Sequence, residues 1–127
     1  MLTETNSQLI KRFVSAFEKK DPASLKPFLD PEITFRNYGQ PEITGRDAVI
    51  AFWGNVFKKF DTVQFETVHQ AVNNNIVIEE QVHHLALHGK KSAPIMNMAI
   101  YEIRNGLIVA WRDYTDSSYS HKLLSGD

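Results

Sequence analysis

The stretch LIVAWRDYTD, residues 107–116, reads as the closing strand of a sheet. Side chains alternate along a strand, so odd and even positions face opposite ways. Leu107, Val109, Trp111, Asp113 and Thr115 fall on one face. Ile108, Ala110, Arg112, Tyr114 and Asp116 fall on the other. Asp113 is therefore a carboxylate on a mostly apolar face, while Arg112 and Asp116 point away from it. Asn105-Gly106, just upstream, is the strongest local hairpin signal in the chain. It joins this strand to PIMNMAIYEI (94–103).

Two more strands precede that hairpin. NIVIEEQVHHLALH (75–88) is long and alternating, and Gly89-Lys90-Lys91-Ser92 leads out of it. TVQFETVHQAV (62–72) alternates with a slip near Thr67 that predicts a bulge. Asn73-Asn74-Asn75 is the turn between them. Upstream of this meander the period changes to helical. In GRDAVIAFWGNVFKKF (45–60), Val49, Phe52, Trp53, Val56, Phe57 and Phe60 fall on one wide aromatic face. Gly54 weakens that helix slightly without breaking it. Leu9, Ile10, Phe13, Val14 and Phe17 predict a first helix over 6–20, with Thr5 and Gln8 as its capping box. Asp21-Pro22 caps a short second helix, which Asp30-Pro31 is expected to end. EITFRN (32–37) alternates like a short strand, and a tail follows residue 116. Helices first and an antiparallel meander after them define an α+β fold, with helices on one face of a curved sheet. No linker or repeat divides residues 1–127, which read as a single domain.

The bulk numbers exclude several classes. The chain has 127 residues, is 43% hydrophobic and carries a net charge of −1. That suits one domain with a real core and gives no pull toward nucleic acid or anionic membrane. There is no cysteine, so disulfides, thiolate catalysis and cysteine-bound metal are excluded. MLTETNSQLI lacks the basic start and apolar run of a leader, and no stretch approaches the ~20 apolar residues of a membrane span. A cytoplasmic protein is the expectation. His83 and His84 point to opposite faces, and His84 and His88 lie ~13 Å apart by strand rise, so no metal site is expected.

Neither face of the sheet is wholly polar. An antiparallel sheet with one wet face shows clean alternation, whereas here both faces want cover. The helices cover the odd face. A second subunit is the simplest cover for Ile76, Ile78, Met96, Met98 and Ile100 on the even face, so a homodimer is expected. Loops or the C-terminal tail are the alternative cover.

The odd face carries the candidate chemistry. A carboxylate at Asp113 is desolvated unless paired, which raises its pKa toward the range useful to a general acid or base. Gln81, His83, Asn97 and Tyr101 lie on the matching faces of neighbouring strands and can converge on it. Phe35, Trp53, Tyr101 and Trp111 would wall a concave apolar pocket. The bland alternatives are a buried structural ion or hydrogen-bond pair for Asp113, with His83 a candidate partner, a satisfied pocket histidine for His83, and core packing for the aromatic residues. Lone Gly45 before a helix is a weak phosphate-loop signal, and no serine sits in a nucleophile elbow.

NYGQPEITGRDAV (37–49) and GLIVAWRDYTD (106–116) resemble limonene-1,2-epoxide hydrolases. More broadly they resemble the SnoaL-like polyketide cyclases of the nuclear transport factor 2-like superfamily. The resemblance spans about Leu9 to Asp116. It implies a cone of strongly curved sheet around a helix-lined pocket, commonly dimeric. It places the water-activating aspartate of the hydrolases on Asp113 and the water-holding asparagine on Asn37. It also places their tyrosine on Phe35, their bridging arginine on Gln81 and their acid aspartate on His83. Three of those five positions differ, so epoxide hydrolysis is not expected. SnoaL-like cyclases and ketosteroid isomerases need only a carboxylate beside a carbonyl, and the resemblance assigns that role to Asp113. The expectation is a cofactor-independent enzyme acting on a small apolar carbonyl compound. In it, Asp113 moves the proton, His83 donates or orients, and Gln81 and Asn37 position. A non-catalytic binder of small apolar ligands and a dimerisation module on the same fold are the alternatives.

Overall fold

The computed structural model describes residues 4–126. Met1–Thr3, the start of the segment read as lacking a leader, lie outside the described residues, as does Asp127. Helix α1 spans Asn6–Ala16, and the expected capping box is present: Gln8 N–H donates to the Thr5 hydroxyl and Thr5 N–H to the Gln8 side chain. The helix tightens into a 3-10 turn over Phe17–Lys19, and a second 3-10 segment, capped by Asp21, runs over Pro22–Phe28. Helix α2 spans Arg46–Phe57 and buries Val49, Trp53 and Phe57, while Phe52 stays 37% exposed. Gly54 lies where α2 crosses the 3-10 segment. A Cβ there would meet the Pro22 ring at 3.4 Å, an ordinary van der Waals contact.

Six strands form one curved, open sheet in the order β2-β1-β6-β5-β4-β3. They are β1 Leu29–Asn37, β2 Ile43–Thr44, β3 Phe60–Asn73, β4 Ile76–Leu87, β5 Ala93–Arg104 and β6 Leu107–Tyr114. The β3–β4–β5–β6 meander is antiparallel as expected, and the Thr67 bulge is present as a register shift between Thr67 and His69. Asn105 and Gly106 both have positive φ, as a tight hairpin turn requires.

The structure corrects four expectations. First, β1 starts at Leu29 and runs through Asp30-Pro31, which does not end a helix. Pro31 sits in the irregular stretch of the β1–β6 pairing, where its missing N–H breaks no ladder bond. Second, β1 pairs with β6 in parallel, so the sheet is not purely antiparallel. Third, Glu102 faces Ala110 but Ile103 faces Ile108, so Val109 is an extra residue. This bulge turns Ile108 into the core beside Trp111 and leaves Leu107 and Val109 half-buried. Fourth, the tail is a helix. α3 spans Ser117–Ser125, with Asp116 as its N-cap accepting from Tyr119 N–H and Gly126 closing it in the left-handed region. Leu124 of α3 rests on the main core.

The odd faces of β4 and β5 are buried and the even faces largely open. α1, α2 and the 3-10 segments fill the concave side with Phe13, Phe17, Phe28, Trp53 and Phe57. No helix among the described residues is long and apolar enough to cross a membrane.

Candidate functional site

Five polar side chains are buried on the concave face: Glu79, Gln81 and His83 from β4, Asn97 from β5 and Asp113 from β6. Their common orientation follows from strand alternation. Their adjacency follows from register, in which Gln81 faces Asn97, and Glu79, Ala99 and Asp113 lie in one row across three strands.

Asp113 is 5% exposed. Trp111 Nε1–H donates to its Oδ1 at 2.9 Å and Asn97 Nδ2–H to the same oxygen at 3.2 Å. Both side-chain bonds thus fall on one oxygen. Burial pushes its pKa up to about 6, against the opposing pull of those two donors. Among the described residues no arginine or lysine is paired with it, and its side-chain partners are the Trp111 and Asn97 donors.

His83 does not touch Asp113; Asn97 stands between them. The imidazole is stacked on Phe65, ring centres 3.6 Å apart, and its Nε2 lies 2.7 Å from Gln81 Oε1. An amide oxygen only accepts, so Nε2 carries the proton. Burial, and to a lesser degree His84, lowers the His83 pKa to about 3. His83 is therefore neutral near pH 7.

Gln81 holds the centre. Its Nε2 donates to Glu79 Oε1 at 2.8 Å and to Tyr101 Oη at 3.1 Å, while its Oε1 accepts from His83 and from Asn97. Tyr101 is buried, and its phenol pKa is raised well above the usual value by burial and by the nearby Asp113 charge. Asn37 faces Asp113 in the β1–β6 pairing but lends its amide oxygen to Thr115 N–H. Thr115 Oγ1–H in turn donates to Asn97 Oδ1 at 2.5 Å. The entry into α3 is thereby tied to the group that holds Asp113.

The aromatic residues expected to wall a pocket pack against one another instead. Trp111 touches Phe35 at 4.1 Å between ring centres, stacks on Trp53 at 5.4 Å and 8°, and meets Phe13 edge-on. Trp53 Nε1 is buried and has no hydrogen-bond partner among the described residues. Open space lies nearby rather than among these rings. A cleft of about 600 Å³ is lined by Tyr38, Gln40, Tyr114, Thr115 and Ser117, and a smaller one of about 270 Å³ is lined by Arg36, Tyr38, Arg112 and Asp113.

Reasoning from sequence overlooked Glu79, Thr115 and α3. The signal for Glu79 was available, since it shares the alternation of Gln81 and His83. Thr115 lies on the same face as Asp113 by simple count. α3 is only weakly marked, by Asp116 as a cap and Gly126 as a stop.

The curved open sheet closed over by N-terminal helices is the fold of nuclear transport factor 2-like proteins, and Asp113 is the penultimate residue of its last strand. The fold matches solved members closely in shape and distantly in sequence. A protein with a ketosteroid isomerase-like fold from Catenulispora acidiphila, solved with trimethylamine, superposes with TM-score 0.86 at 15% identity, covering 95% of each chain. An LEH-like epoxide hydrolase from Mycobacterium tuberculosis gives 0.82 at 18% identity, covering 95% of this chain and 90% of that one. A nuclear transport factor 2-like protein of unknown function from Cytophaga hutchinsonii gives 0.76 at 17%, covering 95% and 99%. Within that class the family model described as the SnoaL-like domain matches residues 10–111, and the chain belongs to the SnoaL-like family.

Proposed function

We propose that this chain catalyses cofactor-independent proton transfer, as an isomerase or cyclase would, on a small apolar carbonyl compound, with Asp113 as the general base and acid. One observation carries the reading: Asp113 is a buried carboxylate with a pKa raised to about 6 and both side-chain hydrogen bonds gathered on Oδ1. Its second oxygen is left to take a proton from carbon α to the carbonyl. The C–H electron pair then moves onto the carbonyl oxygen as an enolate, and Asp113 returns the proton to another position. Tyr101 already accepts from Gln81, so its own O–H proton is available to the enolate oxygen. Neutral His83, Gln81 and Asn97 hold this arrangement in place. Substrate enters from the cleft beside Thr115 and α3, and the stack of Phe35, Trp53 and Trp111 parts to give it an apolar surface.

The test is solvent deuterium exchange into 2-cyclohexenone, followed by NMR. Wild type is expected to exchange the α-carbon protons, and Asp113→Asn to lose at least ~100-fold, the usual share of a general base. Equal exchange by both proteins would overturn the role of Asp113. A second reading rests on the closed stack of Phe35, Trp53 and Trp111: a non-catalytic binder or interaction module. Tight binding of the same ketone that survives Asp113→Ala, without exchange, favours it.

The macromolecular partner we propose is a second copy of the chain. With α3 in place, Met96 and Met98 remain 63% and 43% exposed on the convex face, beside Ile78 and half-buried Ile100. Arg36 and Arg112 lie side by side on β1 and β6, and Arg36 has no ion-pair partner among the described residues. Glu66 and Glu80 lie toward the other edge, on β3 and β4. A two-fold axis running along the strands lays the basic side of one sheet over the acidic side of its copy, with the methionines between. Sedimentation at micromolar concentration should give a dimer for wild type and a monomer for Met98→Lys. A wild-type monomer would remove the proposal.

A further inference from the structure

We infer that Glu79 is a positioning residue of the Asp113 site, acting through Gln81 to set the direction of the hydrogen bonds around Asp113 and the tautomer of His83. The inference rests on reading Asp113 as the acid/base group. Glu79 is 0% exposed and accepts three side-chain hydrogen bonds: from Thr67 Oγ1 at 3.0 Å, Gln70 Nε2 at 2.9 Å and Gln81 Nε2 at 2.8 Å. Ser7 of α1 closes the far side by donating to Gln70 Oε1 at 2.5 Å. An ionised carboxylate is acceptor-only. It therefore demands the nitrogen end of the Gln81 amide and turns the oxygen end toward His83 and Asn97.

The consequences run in one direction. Gln81 Oε1 requires a proton on His83 Nε2, which leaves Nδ1 as the unprotonated nitrogen of the neutral ring. The same oxygen takes one Asn97 Nδ2 proton, and the other goes to Asp113 Oδ1. Asn97 Oδ1 accepts from Thr115 Oγ1–H, a bond compatible with this direction of the amide. Glu79 and Asp113 flank Ala99 in one row of the sheet, two strand spacings or ~10 Å apart. Glu79 thus acts, through Gln81, on the Asn97 donor that reaches Asp113, while the Trp111 N–H reaches it independently.

Replacing Glu79 by glutamine puts an amide among three donors. Gln81 is then expected to turn over and offer nitrogen to His83 and Asn97. His83 must accept at Nε2, from Asn97 or Gln81, and carry its proton on Nδ1. The measurement is ¹⁵N NMR of the His83 ring together with ¹³C titration of the Asp113 carboxyl, in wild type, Glu79→Gln and Gln81→Leu. Wild type is expected to show a neutral ring protonated at Nε2. Both variants are expected to show it protonated at Nδ1. The Asp113 midpoint in Glu79→Gln reads separately any through-space effect of the substitution, ~10 Å away across the sheet. An Nε2-protonated ring in the variants overturns the positioning role, even if the midpoint falls, because through-space charge alone would then suffice. Gln81→Leu keeps the Thr67 and Gln70 bonds to Glu79, so it carries the test if Glu79→Gln fails to fold. Neither readout needs a substrate. Loss of the exchange reaction therefore bears on the proposed function, and the ring tautomer bears on Glu79.

Discussion

Asp113→Asn is expected to melt several degrees above wild type at pH 7.5, and to lose that advantage near pH 3, below the pKa of the unfolded carboxyl. The folded carboxyl has a pKa of about 6, against 3.8 for the unconstrained group. Between those values the folded protein holds a proton that the unfolded chain releases. The stability that this proton contributes is fully present below the unfolded value and is lost as pH rises through about 6. The shift of about two units corresponds to roughly 3 kcal/mol of lost stability above that range. Asparagine never ionises, and its amide oxygen can still accept from Trp111 and Asn97. Part of the gain is offset by the new N–H groups, so a rise of several degrees is the expected net result. Differential scanning calorimetry at the two pH values measures it. A large fall at pH 7.5 would mean that Asp113 is a structural partner whose removal strands its donors, and it would remove the acid/base reading with it.

Trp111→Ala is expected to cost roughly 4 kcal/mol, in the range of large aromatic deletions from a packed core. The side chain is fully buried and lies against Phe13, Phe17, Phe35, Trp53 and Tyr101. Its removal opens a cavity at the centre of the concave face and takes from Asp113 its shorter hydrogen bond. Trp111→Phe separates the two effects. It restores most of the volume but not the donor, so it should recover more than half of the stability while raising the Asp113 pKa further. Urea unfolding of the two variants tests this. Equal losses would mean that the hydrogen bond, not the packing, dominates at this position.

The sheet was legible because its burial is one-sided. On β4 and β5 every odd residue from Val77 to His83 and from Ala93 to Ile103 is buried, and simple alternation finds that. Alternation fails where a residue is inserted. Val109 is such a residue, and Ile108 reached the core against the count. Parallel pairing of β1 with β6 has no local signature, because its partners lie far apart in the chain. The exposed face of α3 hides its helical period, since none of its residues is fully buried. Within the site, Asp113, Gln81, His83 and Asn97 were placed together correctly by face. Their hydrogen-bond directions were not legible, because these depend on a buried charge at Glu79 whose partners come from β3 and α1.

The stacked indoles have a practical consequence. Trp53 and Trp111 are the only two tryptophans in the chain, and both belong to this site. All of its tryptophan emission therefore originates within one ring contact of Asp113. Two parallel indoles this close couple their electronic transitions, so their near-ultraviolet circular dichroism reports the distance and angle between them. The molecule carries its own optical probe: a ligand that parts the rings, or a change in the charge of Asp113 against the Trp111 N–H, registers as a spectral change without any label.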